Sequence, residues 1–332
     1  MDALSEALRL IRLQGALFLY GEFHEPWCVN APEAGRMAPV LCPGAGQLAI
    51  LHAVLEGRCW IQLDGEEPIE LQAGDVVALP QGDAHLIGSG LRHAPVDLRH
   101  VVPVEIPCIA PLRYGGSGDR SVLVCGWFTC ERDVPNPLLT SLPRIFRASV
   151  GRRPSGPWLE QSLRYALREA QAGQPGSSAM AARVAESLFV ESVRGYLETL
   201  PPRQSGWLAG LRDPQVGRCL AMMHERPGHD WSVEALAQAV HVSRSVLAER
   251  FTGLVGVPPM QYLKRWRLAV AARMLCNEHA NLIRVAEAVG YESEAAFSRA
   301  FKTEYGAAPG QWRRAAEGQA GTARRAGPSP SG

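Results

Sequence analysis

IRVAEAVGYESEAAFSRAFKTEYGAAP, Ile283 to Pro309, repeats a pattern already present in VEALAQAVHVSRSVLAERFTGLVGVPP, Val233 to Pro259. Each copy reads as a short helix, a tight turn, a longer helix ending at a glycine, then a proline. In the first, Ser232 and Ser243 are N-caps, because a serine hydroxyl accepts an orphan backbone N–H. Val233, Leu236, Ala237 and Val240 share one face, and Leu247, Phe251 and Leu254 continue it on the longer helix. Gly256 takes the stop position. In the second, Asn281 and Ser293 are the caps, Ile283, Val285, Ala286 and Val289 face inward, and Phe297, Phe301 and Tyr305 follow. Gly306 closes that helix. Gly290 sits where the turn calls for positive φ, and His241 holds the equivalent place in the first copy. This is the pattern of two helix-turn-helix units in tandem.

The residues left facing solvent on the longer helices suit base edges. They are Arg244, Ser245, Ala248, Glu249 and Thr252 in the first copy, and Glu294, Ala295, Ser298, Arg299 and Lys302 in the second. Arginine pairs bidentately with guanine, Ser and Thr with several edges, Glu with the cytosine amino group, and alanine approaches a thymine methyl. Between the copies, PPMQYLKRWRLAVAARMLCN (Pro258 to Asn277) reads as one long helix with Pro259 in its first turn. It would hold the motifs at a fixed separation, and successive major grooves on one face of DNA lie roughly 34 Å apart.

The region from about Asp213 to Arg314 resembles the DNA-binding domain of the AraC/XylS family of bacterial transcription regulators. The stretch Val285 to Arg314 carries that likeness: Gly-Tyr in the turn, Ser-x-x-x-Phe-x-x-x-Phe, Gly-x-x-Pro, then an aromatic and arginine. The preceding DPQVGRCLAMMHERPG looks like the family's opening helix, capped by Asp213. The resemblance implies double-stranded DNA as partner, with RNA polymerase a candidate second partner, since activation is the family's commoner mode.

Charge distribution agrees. The 332-residue chain has a net charge of only +1, but Arg212 to Arg314 carries 14 basic and 10 acidic residues, whereas Met1 to Leu211 carries 18 and 22. The C-terminal third is the cationic part, as phosphate contact requires. MDALSEALRLIRL at the start reads as an amphipathic helix with Leu4, Leu8 and Ile11 on one side, not as a signal peptide. No apolar run approaches the ~20 residues of a membrane span. The expectation is a cytoplasmic protein with no membrane partner, its eight cysteines reduced.

From about Arg36 to Ala148 the pattern changes to short apolar runs bounded by Gly, Pro and Asp: QLAILHAVLEG, CWIQLDG, PIELQAG, DVVALP and SVLVCGWFTC. These read as strands. Gly74 to His85, GDVVALPQGDAH, resembles the second motif of the cupin β-barrel, and His52 to Gly57, HAVLEG, looks like a degenerate first motif. The fuller first motif of that family carries two His and a Glu as metal ligands. Only His52 stands here, with Glu56 near it, so the likeness implies a barrel without supplying the family's metal ligands, and no metal and no cofactor are expected. A small effector in the barrel mouth is expected, and His52, Trp60, His85 and Trp127 are its candidate contacts, with Trp27 and Phe128 as further candidates. Cys125 and Cys130 in CGWFTC are candidate redox residues. Their offset of five aims them to opposite faces of a strand, so a bridge needs a bend.

Pro157 to Leu200 turns helical, in WLEQSLRYALREAQAG and MAARVAESLFVESVRGYLETL. In the regulators this chain resembles, such helices often carry the dimer contact. The fold class expected is α+β multidomain. Residues 1–150 form a cupin-like sensing β-barrel, 151–200 a helical dimerisation segment, 201–212 a linker, 213–315 an all-α double helix-turn-helix domain, and 316–332 a disordered tail. The function expected is a sequence-specific, effector-responsive transcription regulator acting as a homodimer, not an enzyme. Two other readings stand beside it: a redox-sensing regulator acting through the N-terminal cysteines, and a metal-dependent cupin enzyme fused to a DNA-binding domain.

Overall fold

The computed structural model describes residues 2–11, 14–41, 47–102, 111–130, 137–201, 205–277 and 281–315. The chain opens with α1 (Ala3–Ile11). Next come β1 (Gln14–His24), β2 (Cys28–Ala31), α2 (Ala34–Leu41), β3 (Gln47–Glu56), β4 (Arg58–Leu63), β5 (Ile69–Gln72) and β6 (Val76–Leu79). The sheet-forming part continues with β7 (His85–Gly88), β8 (Val96–Asp97), α3 (Leu98–Val101), β9 (Pro111–Gly115), β10 (Arg120–Cys130), α4 (Pro137–Ser141) and β11 (Phe146–Ala148). Thereafter helices dominate: α5 (Gly156–Gln171), α6 (Ser177–Thr199), α7 (Trp207–Arg212), α8 (Pro214–Glu225), α9 (Val233–Ala239), α10 (Arg244–Val255), α11 (Pro259–Asn277), α12 (Leu282–Ala288) and α13 (Glu294–Tyr305).

These elements fall into two compact units. The first comprises Leu13–Glu131 and Leu142–Thr199, the second Met1–Arg12, Arg132–Ser141 and Leu200–Gly332. Helices α5 and α6 therefore belong with the strands, while α1 and α4 belong with the C-terminal helices. The span 201–212, read from sequence as a linker, contains α7. The tail from residue 316, read as disordered, lies outside the described residues.

In the first unit the strands form a six-stranded sheet, β11-β6-β3-β10-β1-β9, and a five-stranded sheet, β5-β4-β7-β2-β8. The barrel expected from the cupin-like motif is thus an open pair of sheets. The edge strands, β11 and β9 of one sheet and β5 and β8 of the other, are two to five residues long, and among the described residues none pairs with a strand of the other sheet. Side chains alternate across β3. Leu48, Ile50 and Val54 join one core with Ile61 and Leu63 of β4, Leu123 and Cys125 of β10 and Ile87 of β7. The intervening Leu51 and Ala53 are just as buried, because α5 and α6 cover the other face. There Phe128 lies 5.1 Å from Phe189, and Phe146 lies 4.9 Å from Tyr196. A strand buried on both sides reads as a continuous apolar run, which is what ILHAVL shows. Gly82, inside the cupin-like motif, has φ +67°, and a Cβ there would stand 2.3 Å from the Leu48 carbonyl oxygen. The turn into β7 therefore needs glycine at that position.

In the second unit, Asp213 caps α8, with one carboxylate oxygen accepting from the N–H groups of Gln215 and Val216. Its other oxygen accepts from Arg250 of α10 at 2.7 Å. Helix α1 packs on α8 through Ala3 and Ala7, which are 3% and 0% exposed. The apolar stripe read from sequence was Leu4, Leu8 and Ile11. Leu4 and Leu8 are only half-buried, because small alanines allow the closer approach of the two backbones.

Candidate DNA-binding surface and sheet-core cluster

Both helix-turn-helix motifs close on side chains visible in the sequence. The Ser232 hydroxyl accepts from Ala235 N–H, Ser243 from Val246, Asn281 from Ile283 and Ser293 from Ala296. Gly256 and Gly306 end α10 and α13 in the left-handed conformation. In the turns, Gly290 has φ +80° and His241 has φ +58°, the one positive φ at a non-glycine among the described residues. Leu236, Ala237, Leu247 and Phe251 are buried in the first motif, and Val285, Ala286, Phe297 and Phe301 in the second. Ile283 departs from the expected inward face. It is 47% exposed, on the first turn of α12, where it is the second residue after the Asn281 cap.

The ten candidate readers all lie away from those cores. Arg244, Ser245, Glu249, Glu294, Ala295, Arg299 and Lys302 are exposed, and Ala248, Thr252 and Ser298 are half-buried. Arg244 is not free. It pairs with Glu234 of α9 at 2.8 Å, with both side chains largely in solvent. Among the described residues neither Arg299 nor Lys302 forms such a pair. Val246, 48% exposed on α10, was not singled out from sequence. It falls one step off the Leu247–Phe251 stripe, and its branched apolar side chain suits a thymine methyl.

Helix α11 fixes the two motifs to each other. Arg267 donates to the Pro227 carbonyl at 2.7 Å and the His229 carbonyl at 2.8 Å, in the turn after α8. Its guanidinium also stands against Gly290 of the second motif, where a Cβ would come within 2.8 Å of it. The α11 residues Tyr262, Leu263, Trp266, Leu268, Ala271, Ala272 and Leu275 are buried. Val270 and Met274, counted on the apolar surface from sequence, are half-buried.

In the sheet unit, two of the four expected effector contacts meet Cys125, a residue expected to act in redox chemistry. His52 and His85 are buried, with their Nε2 atoms 2.9 Å apart, and His52 Nδ1 lies 2.8 Å from Cys125 Sγ. His85 Nδ1 lies 2.9 Å from the Asp83 carbonyl oxygen. With both rings neutral, one direction of donation satisfies every atom. His85 Nδ1–H donates to Asp83, His52 Nε2–H to His85, and the Cys125 thiol to His52. Burial lowers both imidazole pKa values and raises that of the thiol, so all three groups rest uncharged. Cys125 and His52 are direct partners across β10 and β3, which is why they meet.

The other expected contacts separate. Trp127 shares the inward face of Cys125 and packs on the core. Trp60 lies on the opposite face of β4 from the buried Cys59, Ile61 and Leu63 and is half-buried. Trp27 is in the core, stacked on Phe23 at 4.4 Å, and Phe128 faces the helices. The side chain of Cys130 lies outside the described residues. A cupin-type metal does not fit the cluster: Cys125 addresses the nitrogen of His52 opposite to the one facing His85, so three donors do not converge. Among the described residues no group of three metal-ligating side chains comes together.

Known proteins share both halves. A family described as "Cupin" matches residues 2–198, and one described as "Helix-turn-helix domain" matches residues 236–315. A "Putative AraC-like transcription regulator" of Streptomyces antibioticus is 35% identical over 95% of this chain and 99% of its own. A protein of the same description from Streptomyces lividans is 36% identical over 95% and 98%. The "RCS-specific HTH-type transcriptional activator RclR" of Escherichia coli (strain K12) is 30% identical over 94% and 97%.

Proposed function

The chain belongs to the AraC-like, DNA-binding transcription regulators, with an N-terminal cupin-type domain and a C-terminal helix-turn-helix domain, and we propose that it reads two adjacent major-groove segments under control of an effector. The observation that supports this is the pairing of two capped motifs on one brace. Arg267 of α11 holds the turn after α8 and abuts Gly290. Arg244, Ser245, Ala248, Glu249 and Thr252 read one segment, and Glu294, Ala295, Ser298, Arg299 and Lys302 the other. Genomic DNA capture with purified full-length protein at fixed salt tests it. A recurring site with two contacted segments about one helical turn apart is the expected result. Weak, salt-sensitive binding to every fragment alike would oppose it.

The N-terminal unit is the sensor in this reading, and α5 and α6 provide the homodimer contact. Trp158 and Tyr165 support that assignment. They are 61% and 47% exposed and lie seven residues apart on α5, hence on one face. Trp158→Glu is expected to shift the protein from dimer to monomer in sedimentation, and an unchanged dimer would count against it. Contact with RNA polymerase would make the protein an activator. No enzymatic step and no cofactor is part of the proposal. No described helix is long and apolar enough to cross a membrane, and a cytoplasmic location is part of the proposal.

A second reading, redox control, is favoured by one contact: the Cys125 thiol addresses an imidazole, which can take its proton when the sulfur reacts. Cys125→Ser would then abolish any oxidant-induced change in DNA affinity. A response that survives this substitution removes Cys125 from the scheme.

A further inference from the structure

The DNA-binding unit contains a cavity of about 290 Å³ that no step above uses. Its walls come from α4, α7, α11 and α13 and from the end of α10. Four of the wall residues are aromatic: Trp207, Tyr262, Trp266 and Tyr305. Val255, Val257 and Ala269 complete an apolar lining, and Arg265 and Glu304 are the two charged members.

The polar atoms of this wall are unequally satisfied. Trp207 Nε1–H donates to the Tyr262 hydroxyl at 2.7 Å, and that hydroxyl donates to His224 Nε2 at 2.6 Å. Trp266 stacks on His224 with ring centroids 3.5 Å apart, but its buried indole N–H has no acceptor among the described residues. Arg265 and Glu304 form a long ion pair of 3.8 Å, and the arginine side chain is 52% exposed. A carboxylate entering the cavity would compete for that guanidinium at little cost, since exposed pairs of this kind are weak.

We propose that this cavity is a binding site for a small planar aromatic carboxylate, its rings against the Trp and Tyr walls and its anionic group on Arg265. Flat rings pack on aromatic side chains in offset or edge-to-face arrangements, and the volume is at the lower end of small-molecule sites. Helix α4, Pro137–Ser141, contributes Thr140 and Ser141 to the wall. An occupant would therefore touch a segment that the chain inserts between two stretches of the sheet unit, together with both helix-turn-helix motifs. The site is distinct from the N-terminal unit assigned above to sensing, and stands or falls apart from it.

The test is calorimetric titration of the full-length protein with 2-naphthoate and with its uncharged counterpart 2-naphthol, with tryptophan fluorescence as a second readout. One 2-naphthoate per chain is expected. Arg265→Gln should weaken 2-naphthoate by about tenfold and leave 2-naphthol within about twofold. Val257→Trp, which fills the lining, should weaken both. Its melting temperature checks that it folds, and Arg265→Gln, an exposed substitution, decides the matter if it does not. Absence of 2-naphthoate binding, or binding that neither substitution changes, would overturn the proposal.

Discussion

The two helix-turn-helix motifs share caps, turn geometry and glycine stops, but their interiors use different chemistry. Around the first, His224 is buried between Trp207, Tyr262 and Trp266, donating to the Ala3 carbonyl and accepting from Tyr262. Around the second, Phe297, Phe301, Tyr305 and Trp312 pack against one another at 4.7–5.6 Å. Their surfaces differ too. The first motif's leading arginine is held by Glu234, whereas Arg299 and Lys302 make no ion pair among the described residues. One plan of helix ends thus supports a titratable half, whose cations are engaged within the protein, and a hydrocarbon half with cations ready for DNA.

Acid should separate the halves most strongly. Burial pulls the His224 pKa down to about 3. The unfolded chain, with an imidazole near 6.5, therefore binds more protons between those values. Stability is complete above about pH 6.5 and falls as pH drops, by about 1.4 kcal/mol per unit from this group alone. Amide exchange in α8 should accelerate before that in α13, and His224→Phe should remove the difference. Simultaneous loss of protection in both helices would break the contrast.

The next effects concern the turns and the surface. Gly290→Ala combines a left-handed φ with a Cβ pressed on Arg267 and Gly228. It should cost about 1–3 kcal/mol in denaturant unfolding. His241→Gly in the first turn removes strain at φ +58° and should stabilise by at most about 1 kcal/mol. A destabilising His241→Gly would mean the imidazole makes contacts that outweigh the strain. On DNA, Arg299→Ala should lose about 1–3 kcal/mol of specific binding, more than Arg244→Ala, because Arg244 gives up an ion pair to bind. The smallest effect is Glu234→Gln, which frees Arg244 and should tighten DNA binding by about 0.5 kcal/mol at low salt. Weaker binding instead would show that Glu234 positions Arg244 for its target.

What could be read from sequence was local. Caps such as Ser243 and Ser293, the turn at Gly290 and the strands β3, β4, β5, β6 and β10 depend on a few neighbouring residues. They appeared where spacing placed them. β1 was missed, although it pairs with both β9 and β10, because ALFLYGEF lacks clean alternation and strand partners lie about a hundred residues away. Amphipathicity showed that α1 buries a face, but not that α8 would receive it. The cysteine–histidine chain was hidden for the same reason. His52, His85 and Cys125 meet only through strand registers in two sheets, and Trp60 left the group because a one-residue step along β4 reverses its side. Whether α5 packs or dimerises is likewise a matter of what covers Trp158.

The most direct test of the central claim is footprinting of the full-length protein on its selected site, with Arg244→Ala and Arg299→Ala in parallel. Two protected segments about one helical turn apart are predicted, each substitution relaxing the sequence preference of a different segment. A single protected segment, or substitutions that weaken all sequences equally, would contradict reading by two recognition helices.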